Sequence, residues 1–480
     1  MSDAPLMLGV SGLRGIMGES LTADLALRYA ATLGTLLTEH ADRPGTKSAP
    51  RPPRVVIGLD GRPGGGALYD AASAGLKAAG CHVLHAHIAM TATLAVLVDH
   101  AGADAGLQIT ASHNPQQWNG LKILLRTPAL RRGRPDACAP PKSIADEVAR
   151  RFRAGTIRWR SWADVGTDLA HLDGDAHART VADALEDVGA LHAIRKARFR
   201  ILLDSVNGAG GIISIPFLRD RLRCRVVSLG EKPGVPFWHV PEPTASNLKP
   251  VRARARRARP HAVFGQDPDA DRLAILDETA RYLGEEYTLA LAALALGELG
   301  LIRRGDTLAA NLSTSRMIDD VAHRFGARVV RTPVGEANVV EAMKREGCVL
   351  GGEGNGGVIW PRITFVRDSL SAMALVLALM ARAGEPLSEL VRRLPAYAIE
   401  KRRIDLPPRD GARPALERLR KAFAGRPLDE QDGVRVEFDH AWLHVRPSNT
   451  EPILRLIAEA PEARLARALL DDAARALAAR

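Results

Sequence analysis

Cysteine is scarce in this chain of 480 residues: Cys81, Cys138, Cys224 and Cys348 lie far apart, with no CxxC pair. That spacing argues against a zinc site or a dithiol redox pair, and a disulfide framework is not expected in a chain long enough to bury a real core. Long apolar runs are missing too. The two longest, 288–297 (TLALAALALG) and 369–381 (SLSAMALVLALMA), fall short of the roughly 20 residues a membrane span needs and read as buried helices. No GxxxxGK[ST] is present, which excludes a P-loop, and the histidines show no HExxH spacing. The start, MSDAPLMLGV, has no basic n-region, so no signal peptide is expected. What is present is ordinary for a soluble globular protein, with 46% hydrophobic and 25% charged residues. The length suggests about three to four domains. Lys+Arg at 66 against Asp+Glu at 55 leaves +11, a moderate excess that suits phosphorylated metabolites as well as nucleic acid. The composition predicts a cytoplasmic, multidomain, soluble protein.

The order of signals is α/β grammar. Thr22–Leu37 has apolar residues at helical spacing behind a Thr22 cap. Arg54–Asp60 (RVVIGLD) and Ala105–Thr110 (AGLQIT) read as strands around a small-residue helix, Ala67–Ala79. A proline- and arginine-rich loop is expected over 126–142, and a polar linker over about 150–180. The pattern restarts at the strand Phe199–Asp204 and again at His261–Gly265. After about residue 370 the texture changes to a helix, antiparallel-type strands at Val434–Phe438 and Trp442–Arg446, a strand at Ile453–Ala458 and an alanine-rich helix 462–479. The predicted fold class is α/β: three related α/β domains (1–160, 161–262 and 263–372) and a smaller C-terminal α+β domain (373–480).

Four loops carry chemistry. In Thr110–Lys122 (TASHNPQQWNGLK) a serine follows a strand among small and polar residues; it reads either as a covalent phosphate carrier or as an ordinary helix cap. In Gln266–Glu278 (QDPDADRLAILDE), Asp267, Asp269 and Asp271 alternate, so an extended loop turns all three carboxylates toward one hard cation; a solvated acidic turn is the plainer alternative. An EF-hand matches the acidic spacing, but Arg272 stands where that loop needs glycine and the flanks read as strands. Gly351–Gly357 (GGEGNGG) lets backbone approach a ligand, with Glu353 and Asn355 as acceptor and amide; a flexible turn has the same composition. Arg446–Thr450 (RPSNT), with Arg455 beyond it, supplies a guanidinium fork, hydroxyls and an amide suited to a dianionic phosphate, or to a surface turn with a salt bridge. Two weaker candidates are set aside. Ser205–Gly211 lacks the third glycine of a dinucleotide loop, and the basic run Arg252–Arg259 has no interleaved aromatics and reads as a solvated helix face.

Taken in this order, the loops resemble the α-D-phosphohexomutase family, which includes phosphoglucomutase, phosphomannomutase and phosphoglucosamine mutase. The resemblance runs from Gly9–Gly15 (GVSGLRG) to Arg446–Pro452 (RPSNTEP), with further matches at 204–211 (DSVNGAGG), 241–248 (PEPTASNL) and 332–338 (TPVGEAN). It implies four domains around a central cleft, each giving one loop. By it, Ser112 is the phosphoserine, and Asp267, Asp269 and Asp271 bind Mg²⁺ together with the Ser112 phosphate. Arg14, Lys122 and Arg272 then surround the transferring phosphoryl group, Glu353 and Asn355 read the sugar, and Arg446, Ser448, Asn449, Thr450 and Arg455 grip the phosphate that is not transferred. Lys122 and His113 are the candidate proton-transfer groups by position. The implied reaction moves a phosphoryl group between C1 and C6 of a hexose phosphate through a hexose 1,6-bisphosphate, with neither nucleic acid nor membrane as partner.

Two departures from the family pattern stand out. Pro268 replaces the glycine of DGDxDR, and GEGNGG replaces GExSGH, with Asn355 for serine and Gly357 for histidine. Three rival readings remain at this point: phosphoglucosamine mutase within the family, a metal phosphatase with Asp267 as nucleophile, and a nucleic-acid binder using Arg252–Arg259.

Overall fold

The computed structural model describes residues 5–10, 12–41, 51–126, 135–406, 411–448 and 453–478. Among them are four sheets. The first sheet runs in the order Met7–Gly9, Gly12–Ile16, Trp118–Leu125, Ala105–Ile109, Arg54–Leu59, His82–Ile88, Asp168–His171. Its centre is parallel, and the strand Trp118–Leu125 folds back antiparallel on Ala105–Ile109. The second sheet orders Leu273–Leu276, Ala262–Gln266, Arg200–Asp204, Arg225–Leu229, and the third Arg328–Thr332, Thr307–Asn311, Leu350–Glu353, Gly357–Ile359. Each has a parallel core with one antiparallel edge strand. The fourth sheet, Ala398–Asp405, Ile453–Ala460, Trp442–Pro447, Val434–Glu437, Leu428–Asp429, is antiparallel throughout. The predicted class, three α/β units and an α+β unit, is the observed one.

Ligands of open α/β sheets sit at the carboxyl ends of parallel strands, where loops are free to carry side chains. Ser112 follows one such end in the first sheet, Asp267 in the second, and Asn311 and Glu353 close two in the third. The two apolar runs form the helices Tyr287–Glu298 and Ser369–Ala383, which pack on each other. They carry one continuous core that includes Ile201, Phe264, Leu294, Leu308 and Leu377, so the second and third sheets share an interior. Asp368 caps the second of these helices by accepting from Leu370 N and Ser371 N, while His177 of the second unit hydrogen-bonds the same carboxylate at 3.1 Å. No helix among the described residues is long and apolar enough to cross a membrane. The basic run lies on the helix Lys249–Ala258, with Val251 and Ala255 buried and Arg254, Arg256 and Arg257 exposed.

Two expected boundaries cut through sheets. The division at 262/263 cuts the strand Ala262–Gln266 after its first residue and parts the rest of it from Arg200–Asp204, its hydrogen-bonded parallel neighbour. The acidic loop therefore hangs from the second sheet, not the third. The region read as a linker over 150–180 holds the strand Asp168–His171, which pairs with His82–Ile88 and extends the first sheet past residue 160. All four of its residues are exposed, so no apolar alternation marks it in the sequence. Of the loop expected over 126–142, residues 127–134 lie outside the described residues.

Candidate active site

Ser112 is held in an unfavourable backbone conformation. Its φ is +51°, in the left-handed region where a Cβ costs about 1–2 kcal/mol. The surroundings impose it. Ser112 N donates to Thr110 Oγ1 at 2.8 Å, and Arg62 Nη2 donates to the Ser112 carbonyl at 2.6 Å. Thr110 Oγ1 and Arg62 Nε both donate to Asp60 Oδ2, at 2.7 and 2.9 Å. The side chains of Asp60 and Arg62 are wholly buried. The second unit closes over this frame: the Phe237 ring lies 5.3 Å from the Arg62 guanidinium, and Phe237 N donates to Gln116 Oε1 at 2.7 Å. Breaking a buried pair strands a charge, so Arg62→Ala is expected to lower unfolding free energy by about 3–5 kcal/mol, read from urea melts. A loss under about 1 kcal/mol would show that the pair does not brace the serine loop.

The acidic loop brings its carboxylates together. Asp267, Asp269 and Asp271 are fully buried, each offering an oxygen, all within 4.8 Å of one another. Ser112 Oγ donates to Asp267 Oδ2 at 3.0 Å. Thr91 Oγ1 donates to Asp269 Oδ2 at 2.7 Å, and Asp271 Oδ2 accepts from Arg367 Nη2 at 2.6 Å and Lys122 Nζ at 3.3 Å. The Oδ1 atoms of Asp269 and Asp271 are buried with no hydrogen-bond partner. Burial, then the neighbouring Asp271 charge, pushes the Asp267 and Asp269 carboxyls above the usual aspartate range. Burial works the same way on Asp271, but Arg367 and Lys122 outweigh it and hold that carboxyl low. Three buried carboxylates with two unsatisfied oxygens fit a hard divalent cation. The Pro268 carbonyl accepts Ala209 N at 2.9 Å. A Cβ on Gly208 would stand 2.3 Å from that carbonyl oxygen, which explains a glycine in the DSVNGAGG segment.

Cations ring the triad. Lys122 Nζ also lies 3.6 Å from Glu336 Oε2. Burial would lower its pKa, but Glu336, Asp271 and Asp269 raise it further, so Lys122 is an ammonium. Arg272 N donates to Asp267 Oδ1 at 3.1 Å, and its Nε stands 3.9 Å from Asp271 Oδ1. Arg14 reaches Asn114 Oδ1 at 3.3 Å; burial lowers its pKa against the pull of Asp269. His113 Nδ1 lies 3.3 Å from Ser112 Oγ. The Arg272 charge, then burial and Arg14, depress its pKa to about 2, so the ring is neutral and weakly basic.

Glu353 is saturated. Its Oε1 accepts Asn311 Nδ2 at 2.8 Å and Gly335 N at 3.2 Å; its Oε2 accepts Arg367 Nη1 at 2.8 Å and Asn355 Nδ2 at 3.4 Å. On the fourth sheet, Arg446 Nε donates to Asp432 Oδ2 at 2.8 Å, and that oxygen also accepts Val334 N at 3.1 Å. Successive amides, Val334 and Gly335, thus tie the Arg446 loop and Glu353 to one turn. Arg455 faces Arg446 across the strand pair, and Ser448 N donates to Ile453 O at 2.9 Å. Asn449 and Thr450 lie outside the described residues.

Ser112, His113, Arg14, Lys122, Arg272 and the three aspartates therefore form one cluster, with Glu353 and Asn355 joined to it through Arg367. Arg446 and Arg455 sit on a separate sheet, with Ser448 just beyond the Arg446 strand, and Arg446 connects to the Val334–Gly335 turn through Asp432. Sequence reasoning missed Asp60, Arg62, Thr91, Glu336, Arg367 and Asp432. Two signals were at hand: Glu336 lies within TPVGEAN, and Asp60 and Arg62 stand at the DGR ending of a buried strand.

An enclosed serine against three carboxylates, ringed by fixed cations at the ends of α/β strands, belongs to the phosphoryl-transfer class. The sequence matches all four phosphoglucomutase/phosphomannomutase domain profiles: alpha/beta/alpha domain I over residues 5–131, domain II over 176–281, domain III over 284–397, and the C-terminal domain over 407–476. It is 34% identical to the phosphoglucomutase/phosphomannomutase of Thermococcus kodakarensis, over 97% of both chains. It is 33% identical to a probable phosphoglucosamine mutase of Methanopyrus kandleri, over 97% of this chain and 96% of that one. A crystal structure of a putative phosphomannomutase from Thermus thermophilus superposes with a TM-score of 0.77 at 27% identity, covering 99% of each chain. The chain belongs to the phosphoglucomutase/phosphomannomutase family. It is a phosphomutase of the isomerase class, acting on hexose phosphates.

Proposed function

We propose that Ser112 carries the phosphoryl group of a phosphohexomutase acting on glucose and mannose phosphates. The observation that carries this reading is the Ser112 hydroxyl, buried and held 3.0 Å from Asp267 at the edge of the acidic triad. In the forward direction phospho-Ser112 donates its phosphoryl group to the free C1 or C6 hydroxyl of a hexose monophosphate. The serine oxygen leaves as the hydroxyl and a hexose 1,6-bisphosphate forms. The bisphosphate turns over, its other phosphoryl group returns to Ser112, and the isomeric monophosphate departs.

Asp267, Asp269, Asp271 and the serine phosphate would hold Mg²⁺, which when bound neutralises charge on the transferring group. Arg14, Lys122 and Arg272 add fixed positive charge around that group. His113, neutral beside Ser112 Oγ, keeps another positive charge from the serine oxygen. The Lys122 ammonium gives a proton to the serine oxygen as it leaves, and the amine so formed takes the proton of the attacking sugar hydroxyl, so the step begins and ends on an ammonium. Glu353 and Asn355 line the sugar, with Glu353 fixed by its four partners. Arg446, Ser448, Asn449, Thr450 and Arg455 grip the distal phosphate in either orientation of the bisphosphate. The cytoplasm is the proposed compartment, in keeping with four free thiols.

Loss of one charge-assisted contact weakens binding by about 1.5–3 kcal/mol, which is about 10- to 100-fold. Arg446→Ala is therefore expected to raise KM by that factor and to release bisphosphate into solution, seen by phosphorus NMR. Unchanged KM with no free bisphosphate would remove Arg446 from the phosphate grip. The relatives' names also support glucosamine phosphates as substrates. Turnover of glucose, mannose and glucosamine 6-phosphates side by side, each primed with its bisphosphate, decides between the two. A kcat/KM for glucosamine 6-phosphate above the other two overturns the glucose/mannose assignment.

A further inference from the structure

Arg367 joins three loops at one point. Its Nη2 donates to Asp271 Oδ2 at 2.6 Å and its Nη1 to Glu353 Oε2 at 2.8 Å, while Nε stands 3.2 Å from Glu336 Oε2. These carboxylates belong to the acidic loop of the second sheet and to two turns of the third. The guanidinium is almost entirely buried among them, and their combined charge holds its pKa well above the usual value despite burial.

The room for this side chain comes from position 357, where the sugar loop departs from the family pattern. A Cβ built on Gly357 would stand 2.2 Å from Arg367 Cδ and 2.9 Å from Cγ. Backbone freedom does not explain this glycine, because Gly357 is not among the glycines with positive φ and begins a regular strand, Gly357–Ile359. Space does. A side chain at 357 and an extended Arg367 exclude each other.

We infer that Arg367, admitted by the bare backbone at Gly357, is a positioning residue that registers Glu353 of the sugar loop against Asp271 of the acidic loop. It also lowers the negative charge that the acidic loop presents to its cation. A planar fork with five donors serves three carboxylates at once, and a lysine ammonium cannot. The kinetic consequence rests on the phosphohexomutase reading; the effect on cation binding does not.

The test is a cycle of Gly357→Ala, Arg367→Ala and the double variant in the full-length protein. Turnover is followed alongside calorimetric titration of the metal-stripped protein with Mn²⁺. Misplacing reacting groups by about 1 Å costs about 100-fold, so each single variant is expected to lose kcat on that scale while KM moves less than about threefold. The double variant should match Arg367→Ala, since a methyl group at 357 is harmless once the long side chain is gone. Losses that multiply in the double variant would overturn the exclusion.

Removing a cation that close to Asp271 is expected to tighten Mn²⁺ binding by about fivefold or more. A merely structural role would weaken it, and weaker Mn²⁺ binding in Arg367→Ala contradicts the inference. If the unaltered protein binds Mn²⁺ but turns over no hexose phosphate, the phosphohexomutase reading fails. The Mn²⁺ cycle then decides alone: tighter binding in Arg367→Ala, with no further change in the double variant, supports the inference, and any other pattern overturns it. Should Arg367→Ala not fold, Arg367→Lys replaces it. A folded Arg367→Lys protein with unaltered kcat and Mn²⁺ affinity overturns the inference, and a loss of kcat of about tenfold or more supports it.

Discussion

Ser112→Ala is expected to lower kcat by at least about 10⁴-fold, because the oxygens left beside it are committed elsewhere, Asp267 Oδ2 to the acidic triad and Thr110 Oγ1 to Asp60. His113 Nδ1 also stands close, 3.3 Å from Ser112 Oγ, but its depressed basicity and the arginines around it leave a poor phosphoryl acceptor. Substrate affinity should change little, since Glu353, Asn355 and Arg446 are untouched. Stability should also stay close to that of the unaltered chain, because the Ser112 hydroxyl makes only local contacts with Asp267 and His113. Ser112→Gly sharpens the experiment. Glycine accepts a φ of +51° without the Cβ penalty, so this variant should unfold at a higher temperature than Ser112→Ala while being equally inactive. Thermal melts and a coupled mutase assay on the two proteins check both parts. Turnover within tenfold of normal in either variant would remove the serine from the reaction.

Asp269→Asn is expected to cost about 10³-fold in kcat and yet to stabilise the cation-free protein. The opposite signs have one cause. Asp269 is buried beside two like charges, and its Oδ1 has no hydrogen-bond partner. An amide removes the repulsion, and its oxygen still accepts from Thr91, but it is a poor ligand for a hard dication. The pH dependence follows. Burial first and then the neighbouring carboxylates raise the pKa of Asp267 and Asp269 in the folded protein above the ordinary value of 3.8. A carboxyl with a raised folded pKa binds more protons folded than unfolded, so its contribution to stability is full below the unfolded pKa and falls as pH rises through the folded one. Asp271 has the opposite sign: its depressed pKa adds stability above the unfolded value, lost as pH falls. In chelator, Asp267 and Asp269 together are expected to make the melting temperature fall as pH climbs above the ordinary aspartate range. Excess Mg²⁺ should flatten that slope, and Asp269→Asn should reduce it without needing the cation. A chelator-treated protein that grows more stable over the same range would contradict the triad as a cation cage.

Much of the site was legible because its chemistry is local in sequence. The aspartates alternate within five residues, and Arg446 and Ser448 stand two apart on one turn. Strand and helix signals were equally local, down to the two apolar runs that became the central helices. What escaped was pairing across long separations. Arg367 meets Asp271 across 96 residues and Glu353 across 14, and in sequence it is one arginine among many. Asp60, Arg62 and Asp432 matter through what they hold in place, which no short motif announces. The sheet to which the acidic loop belongs was missed for a related reason: the strand Ala262–Gln266 carries the same apolar signal whichever sheet it joins. The strand Asp168–His171 was hidden because an exposed edge strand needs no apolar face.

The most direct test of the serine carrier is peptide mapping by mass spectrometry, after the purified protein is incubated with Mg²⁺ and glucose 1,6-bisphosphate. A single acid-stable phosphoryl group on Ser112, discharged when glucose 6-phosphate is added, is the expected result. An acid-labile acyl phosphate on Asp267, or no phosphoryl group on either residue, would contradict it.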